Sequence, residues 1–495
     1  MSFRTPAQHG LWCLALLPCA LLSSFTDDFD PYPVKSVTLF LSLCFVLISV
    51  LTAYHVLYTV ADERKVSDFA SHVFKAMVSD LFERASSQEV RLRRTSQDQL
   101  HYTPTYRQRN HVYVVTALLN GIFVLFLKSS HHKPFHPFTL ATGSMSLWSF
   151  AIILPQMFRL FPRSFTFGEG TLILQGVVLF LFESVNSLFL IIDNPATEEG
   201  SFSIIGKTGL LACSVVCILP LLPGFKWCGK NTWFAPTGFT VLFGMAVPYL
   251  WFTLQRNPIL WTMDQILNVR ARVLLMICWA LCLLIAVLKV QSQNEYGQKA
   301  STRTRKYFHV IMVMVYTSGV IVDPLFLYLS SIVAQCVFML LESIRYYCIQ
   351  PFSQYIQSSF AVFLDEKDNG SLILTHIYLL IGCSLPLWLC HGVEAVTRVQ
   401  LLSGVLCIGI GDSAASYFGS KFGRFKFPDS SKSVEGTVAS IVTQLMFLHG
   451  LDYFGFIIVT DWLPLYLPVI IVSVVEALTT QVDNLVLPLL FYALL

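Results

Sequence analysis

One stretch of this chain, Gly409 to Thr437, sets the residue types of phosphate chemistry side by side. Asp412 stands at the end of an apolar run that starts near Leu401. A carboxylate in such a run is costly in lipid, so by default it marks a functional position with a partner. Gly409, Gly411, Gly419 and Gly423 allow close backbone approach. Lys421, Arg424, Lys426 and Lys432 follow within one short interval. An acid can take a cation, while backbone N–H groups and lysines can take phosphate oxygens. The same residues also fit a glycine-rich helix contact followed by a basic loop on the inner side of a membrane. Spacing alone does not choose between the two.

Other clusters offer related chemistry. Arg305/His309 are i, i+4 and Lys306/His309 are i, i+3, so the three share a helix face. They can hold phosphate, arginine by paired hydrogen bonds and lysine as a point charge; they can also simply anchor a span. Glu342 and Arg345, i and i+3 in an apolar run, suit an internal ion pair, because unpaired charge in a membrane is costly. The other use of Arg345 is to reach a phosphate ligand. Asp365-Glu366-Lys367-Asp368, then Asn369-Gly370 and His376, read as a solvated loop leading into a span. Glu476 and Asp483-Asn484 offer oxygen ligands of the kind magnesium takes, one or two carboxylates plus substrate phosphates. A polar helix cap accounts for them equally well.

Several familiar scaffolds are absent. Gly200…Gly206-Lys207-Thr208 has one residue too many for a P-loop, Gly224…Gly229-Lys230-Asn231 lacks the Ser/Thr, and neither follows a strand. The H-R-D and D-F-G signatures, G-x-S-x-G and H-E-x-x-H do not occur. The 13 cysteines lie mostly in apolar runs with no C-x-x-C, which suits buried small hydrophobes and neither a disulfide framework nor zinc. Glu183 and Asn186, deep in one run, suit polar helix–helix contacts.

The elements that position these residues must be membrane helices. Of 495 residues, 55% are hydrophobic and 13% charged, against about 25% charged in soluble domains, and mean hydropathy is +0.63. The net charge of +3 gives no ground for a nucleic-acid partner. The fold class is therefore all-α, a polytopic integral membrane protein, and its apolar runs predict roughly 12–14 transmembrane helices of about 20 residues. Two regions are expected: an N-terminal multi-spanning one, 1–290, with a basic polar interval at 61–110, and a C-terminal multi-spanning one, 291–495. An amphipathic surface helix is predicted near 66–82. Leu11–Phe25 reads as a short first membrane helix, with a cleaved signal as the alternative. Leu485–Leu495 is too short to span and is predicted to lie at the interface.

The basic interval Gln291–Lys306 belongs in the cytoplasm by the positive-inside rule. From there, predicted spans 307–322 and 325–347 form a hairpin about Asp323-Pro324. Spans 372–390 and 399–418 form a second, and 434–450 and 456–479 a third. This alternation gathers Arg305, Lys306, His309, Asp365, His376, Asp412, Lys432, Glu476 and Asp483 at one cytoplasmic surface.

The central stretch resembles the signature of the polyprenol kinase family, D-x-x-A-x-x-x-G-x-x-x-G, a basic loop and K-x-x-E-G. Here these are Asp412, Ala415, Gly419, Gly423, Lys432, Glu435 and Gly436. RKYFH at Arg305–His309, FLDEKDNGSLILTHIYLL at Phe363–Leu380 and TTQVDNLVLPL at Thr479–Leu489 are similar, within that family, to the dolichol kinases. The likeness covers Arg305 to Leu495; earlier residues match only in hydrophobic character. Where dolichol kinases often carry two adjacent lysines this chain has Ser431-Lys432, which leaves Lys432 as the phosphate candidate.

The resemblance implies transfer of a phosphoryl group from CTP to the terminal hydroxyl of dolichol, giving dolichyl phosphate for protein glycosylation. It implies a divalent cation such as Mg2+ and a multi-pass place in the endoplasmic reticulum membrane, with the site on the cytoplasmic face. It implies catalytic roles for Asp412, His309 and Asp365, and metal contacts from Asp412 and Asp483. CTP contacts are implied for Ser420, Lys421, Gly423, Arg424, Lys426, Lys432, Glu435, Gly436, Arg305 and Lys306. A membrane cytidylyltransferase of the CDP-diacylglycerol synthase type is a second enzymatic reading. A polytopic transporter, the third, expects charges at mid-bilayer and repeated halves, whereas here the charges cluster at helix ends and no repeat is visible.

Overall fold

The computed structural model describes residues 10–23, 34–57, 106–129, 136–162, 164–190, 194–221, 230–296, 302–361, 370–389, 395–427, 432–479 and 482–495. Among them every regular element is a helix. A 3₁₀ turn, Leu11–Ala15, leads into α1 (Leu16–Ser23), followed by α2 (Val34–Leu57), α3 (Tyr106–Ser129), α4 (Pro137–Leu160), α5 (Phe167–Leu190) and α6 (Glu198–Ile218). Then come α7 (Lys230–Phe239), α8 (Val247–Leu254), α9 (Pro258–Leu267), α10 (Arg270–Tyr296), α11 (Thr302–Val322), α12 (Pro324–Tyr346) and α13 (Ser353–Ala361). The chain closes with α14 (Thr375–Leu389), α15 (Ala395–Leu401), α16 (Ser413–Phe422), α17 (Val434–Tyr453), α18 (Leu463–Leu478) and α19 (Asp483–Leu494).

Nine helices among the described residues are long and apolar enough to cross a membrane, and four more are apolar but shorter. The chain is an all-α polytopic membrane protein. The predicted span 307–322 is outside the nine, because α11 begins with Arg303, Arg305 and Lys306, which lower its hydropathy. The predicted amphipathic helix at 66–82 and most of the polar interval lie outside the described residues.

Two apolar cores are joined by shared helices. One gathers α1 to α5, where Phe45 stacks on Phe150 at 4.3 Å between ring centres. The other gathers α11, α12, α15, α17 and α18. Helices α14 and α19 contribute to both. The last helix is thus not at the interface, as its length suggested. Val486 and Phe491 are fully buried, and Leu489 and Tyr492 are 1% exposed. A helix apolar on every side is at home in the interior of a bundle, and here α14, α18 and the π-helical segment Val405–Asp412 enclose it.

The predicted span 399–418 is helical and carries a π-helical stretch inside it. The helix continues past Leu401, with Leu402 N donating to the Arg398 carbonyl at 3.2 Å and Leu406 N to the Leu402 carbonyl at 2.9 Å, widens into a π-helical segment, Val405–Asp412, and runs on as α16 to Phe422. Gly419, Ser420 and Lys421 are therefore helical, and the basic loop starts only at Gly423. This stretch packs tightly. A Cβ on Gly404 would come within 2.5 Å of the Cys383 Cα, and one on Gly382 within 1.9 Å of the Asn484 carbonyl oxygen. Two glycines thereby lock the π-helical stretch, α14 and the start of α19 into one unit, and π-helical turns of this kind recur at functional sites.

Candidate active site

The π-helical segment ends at Asp412, so the extra residue in its turns sets where that carboxylate points. Gly409 rests on Val313 of α11, where a Cβ would approach Val313 Cγ2 to 2.2 Å. This brings the acid beside the basic head of α11. Lys306 Nζ pairs with Asp412 Oδ2 and also donates to the Asp412 carbonyl at 3.2 Å. His309 Nδ1 lies 3.4 Å from the same Oδ2. All three side chains are largely buried: Asp412 is 14% exposed, Lys306 21% and His309 10%.

A second lysine–carboxylate pair faces the first. Lys432 Nζ donates to Glu476 Oε1 at 2.7 Å, with the Glu476 side chain 5% exposed and that of Lys432 38%. Burial alone would lower the Lys432 ammonium, but the carboxylates of Glu476, Asp412 and Asp483 outweigh it and hold the lysine above its ordinary range. The lysine is therefore charged wherever the enzyme works. Asp483, at the first turn of α19, completes a compact alternation of two lysines and three acids.

The two described ends of the loop between α16 and α17 are hydrogen-bonded to each other. Phe427 N donates to the Lys432 carbonyl at 3.1 Å and Val434 N to the Phe425 carbonyl at 2.8 Å. Glu435 accepts from Arg424 N at 2.9 Å and Phe425 N at 3.0 Å. Ser433 caps α17, accepting from Gly436 N at 3.2 Å. A Cβ on Gly423 would strike the Gly419 carbonyl at 2.3 Å, and one on Gly436 the Ala415 carbonyl at 2.8 Å. Gly436 thus lets the N-terminus of α17 meet the α16 backbone, and Gly423 makes room for the Ser433 side chain. The positive end of the α17 dipole lies next to Lys432.

These groups open into one cavity of about 980 Å3. One part is polar, with Arg305, Lys306, His309, Asp412, Lys432 and Asp483. The other is apolar, with Cys282, Ala286, Met312, Val315, Ala334 and Leu379. Such a site can hold a phosphorylated solute at one end and a hydrocarbon at the other.

Relatives of known function match the chain. A family model described as dolichol kinase matches residues 147–444. A dolichol kinase of Bos taurus is 32% identical over 408 residues, covering 77% of this chain and 73% of that protein. That of Homo sapiens is 31% identical over the same length and shares. One from Schizosaccharomyces pombe is 30% identical over 372 residues, 72% of this chain and 73% of its own. The chain belongs to the dolichol kinase family. No solved structure matches it. The likeness to these kinases begins well before Arg305, where the sequence motifs alone had placed its start, because the earlier helices carry likeness without short motifs.

In this dolichol kinase family member, the cavity brings together His309, Asp412, Arg305, Lys306, Ser420, Gly423, Lys426, Lys432, Gly436 and Asp483. Lys421, Arg424 and Glu435 do not line it. Lys421 lies over the rings of Tyr417 and Phe422 at 5.7 and 5.2 Å, and Glu435 shapes the loop through its backbone contacts. Asp365 lies outside the described residues. Glu342 and Arg345 form the internal ion pair, at 2.7 and 2.6 Å, which also holds Ile373 N and the Ser371 carbonyl, so the segment before His376 is fixed. His376 lines the cavity between Phe338 and Phe360. Glu476, read from the sequence as an oxygen ligand or a polar cap, turns out to be the partner of Lys432, a pairing that nothing in the sequence signals.

Among the described residues no three His, Cys, Asp or Glu side chains converge as a ready metal cage. The donor chemistry nonetheless fits magnesium, which takes one or two carboxylates and completes its shell with phosphates and water. Asp412 and Asp483 line the same cavity.

Proposed function

We propose that the chain transfers the γ-phosphoryl group of CTP to the terminal hydroxyl of dolichol. The observation that carries this reading is the continuity of the cavity: the lysine–acid cluster and the apolar chamber are one space. A soluble nucleotide and a lipid alcohol need such a meeting point at a membrane surface. The basic head of α11 favours the cytoplasmic side by the positive-inside rule. We place the chain in the endoplasmic reticulum membrane, the location the family resemblance implies, where dolichyl phosphate would serve glycosylation.

Phosphoryl transfer asks the protein mainly for positioning and charge neutralisation. Lys306 and Lys432, each held by a carboxylate, hold the triphosphate, with Arg305 and Lys426 at the margin of the same cavity. Gly423 and Gly436 line the same cavity, and their missing side chains let α16 and α17 close up beside it. Asp412 and Asp483 would hold Mg2+, which supplies charge neutralisation between phosphate oxygens when bound. His309, with Nδ1 turned to Asp412, keeps Nε2 to accept the proton of the dolichol hydroxyl. Asp365 remains a candidate for the same alcohol.

The test uses the full chain in detergent micelles with CTP labelled at either phosphorus. Transfer of the γ label to dolichol supports the kinase. Transfer of the α label means a cytidylyltransferase, and transfer of neither points away from both enzymes.

A further inference from the structure

The apolar part of the cavity is walled on one side by a single helix. α10 presents Trp279, Cys282, Leu283, Ala286 and Val290 to it, a row along one helical face. On the other side of α10, Leu274, Ile277, Leu281, Leu284, Ile285 and Leu288 are each more than half exposed. Only 11% of this span is buried within the protein. The helix is pinned toward its N-terminus. Arg272 pairs with Glu198 and, at 2.6 Å, with Asp323. Trp279 donates to Ser318 Oγ at 3.0 Å and stacks on Phe326 of α12 at 5.5 Å. Past that stack, α12 turns Ser330, Ala334 and Phe338 toward the same space, and Met312 and Val315 of α11 form its floor.

The size of the space decides what it can take. About 980 Å3 is the volume of a pocket for one drug-sized ligand, and the triphosphate must share it. A long polyisoprenoid does not fit, and its hydrocarbon has no reason to leave the bilayer. Its hydroxyl, however, must reach His309 and Asp412.

We infer that the first isoprene units of the lipid alcohol lie in this chamber, that Ala286 and Ala334 set its width, and that the rest of the chain leaves sideways between α10 and α12. This rests on the dolichol-phosphorylating reading above. The protein then reads the hydroxyl end of the lipid and is indifferent to the length of its tail. Alanines at 286 and 334 leave room for a methyl-branched chain, and the Trp279 stack closes the chamber at the end away from the phosphate site.

The experiment has two arms. Ala286→Trp and Ala334→Trp are assayed with CTP and dolichol varied independently, and a CTP-induced rise in Tm is recorded as the folding control. The expected result is a tenfold or greater rise in KM for dolichol with an unchanged KM for CTP. In the second arm the unaltered chain meets dolichol carrying a diazirine on its first isoprene unit or on its last. The first probe should label peptides spanning Cys282–Val290 and Ser330–Phe338; the last should not. Unchanged dolichol KM in both folded tryptophan variants, or labelling confined to other helices, overturns the proposal. A variant that loses its CTP response leaves the decision to the photoprobe. An unaltered chain that phosphorylates no dolichol refutes the functional reading instead, and the labelling pattern still judges the chamber.

Discussion

Glu169, in the first turn of α5, accepts a hydrogen bond at 2.8 Å from the backbone N–H of Val482, at the foot of α19. Its other oxygen accepts from Thr166 N at 3.0 Å, and Thr166 Oγ1 accepts in return from Glu169 N at 3.2 Å. The glutamate thus closes a capping box on its own helix and also holds the residue before Asp483. It has no exposure to solvent. One carboxylate therefore couples the N-terminal helices to the acid that faces the phosphate site.

Glu169→Ala should hurt the site from a distance. It leaves Val482 N buried without an acceptor, a cost of about 1–3 kcal/mol, and loosens the first turn of α5. The expected outcome is a lower Tm and a fall in kcat, with a weaker response to added Mg2+ because Asp483 is less well placed. Thermal unfolding and Mg2+ titration of activity test this. A variant with lowered Tm but unaltered Mg2+ dependence would show that the contact supports folding alone.

How much of this was legible beforehand depended on sequence separation. The face shared by Lys306 and His309, and the Glu342–Arg345 pair, follow from i, i+3 and i, i+4 spacing, and both are present in the structure. The lysine and glycine motifs around Asp412 also mark where the cavity lies. The Lys432–Glu476 pair and the Glu169–Val482 bond had no such signal, because contacts between distant residues leave no periodicity. The π-helical stretch was hidden for another reason: hydropathy of 399–418 is the same whether its turns are α- or π-helical. The burial of α19 is a packing outcome, since its apolar sequence serves an interface or a core equally.

Asp412→Asn keeps the size of the side chain and removes its charge. Lys306 then loses its partner, and His309 loses the carboxylate that orients it. Activity should fall by about 10² or more, the scale of a general base, while expression stays near normal because Gly409 and Gly411 still set the packing. Activity per milligram of purified protein decides. Near-wild-type turnover would leave Asp412 with a packing role only.

Asn369-Gly370-Ser371 is the single N-glycosylation sequon in the sequence. Arg345 Nη2 donates to the Ser371 carbonyl at 2.8 Å, which ties this segment to the end of α12 that faces the site. If that end is cytoplasmic, Asn369 stays unmodified in cells. The check is the mobility of the full-length protein before and after glycosidase treatment. A shift that disappears in Asn369→Gln would place the site on the lumenal side.

The Lys432–Glu476 pair turns a simple lysine deletion into a two-part experiment. Lys432→Ala removes a charge-assisted contact to phosphate worth ~1.5–3 kcal/mol, and it also strands the buried Glu476 carboxylate. Breaking a fully buried pair costs about 3–5 kcal/mol; Lys432 is 38% exposed, so the cost here is smaller. Lys432→Ala should therefore lose both stability and CTP affinity. In Lys432→Ala combined with Glu476→Gln the stranded charge is gone. Its Tm should recover toward wild type while its KM for CTP stays raised, roughly 10- to 150-fold by the same energy. Glu476→Gln alone frees the lysine from its internal partner and should lower KM for CTP. Steady-state kinetics in micelles, with CTP and dolichol varied separately, read all three variants beside their Tm values. The dolichol KM should barely move in any of them. A raised CTP KM in Glu476→Gln alone, corrected by higher Mg2+, would instead make Glu476 a cation ligand and Lys432 its placeholder in the free enzyme.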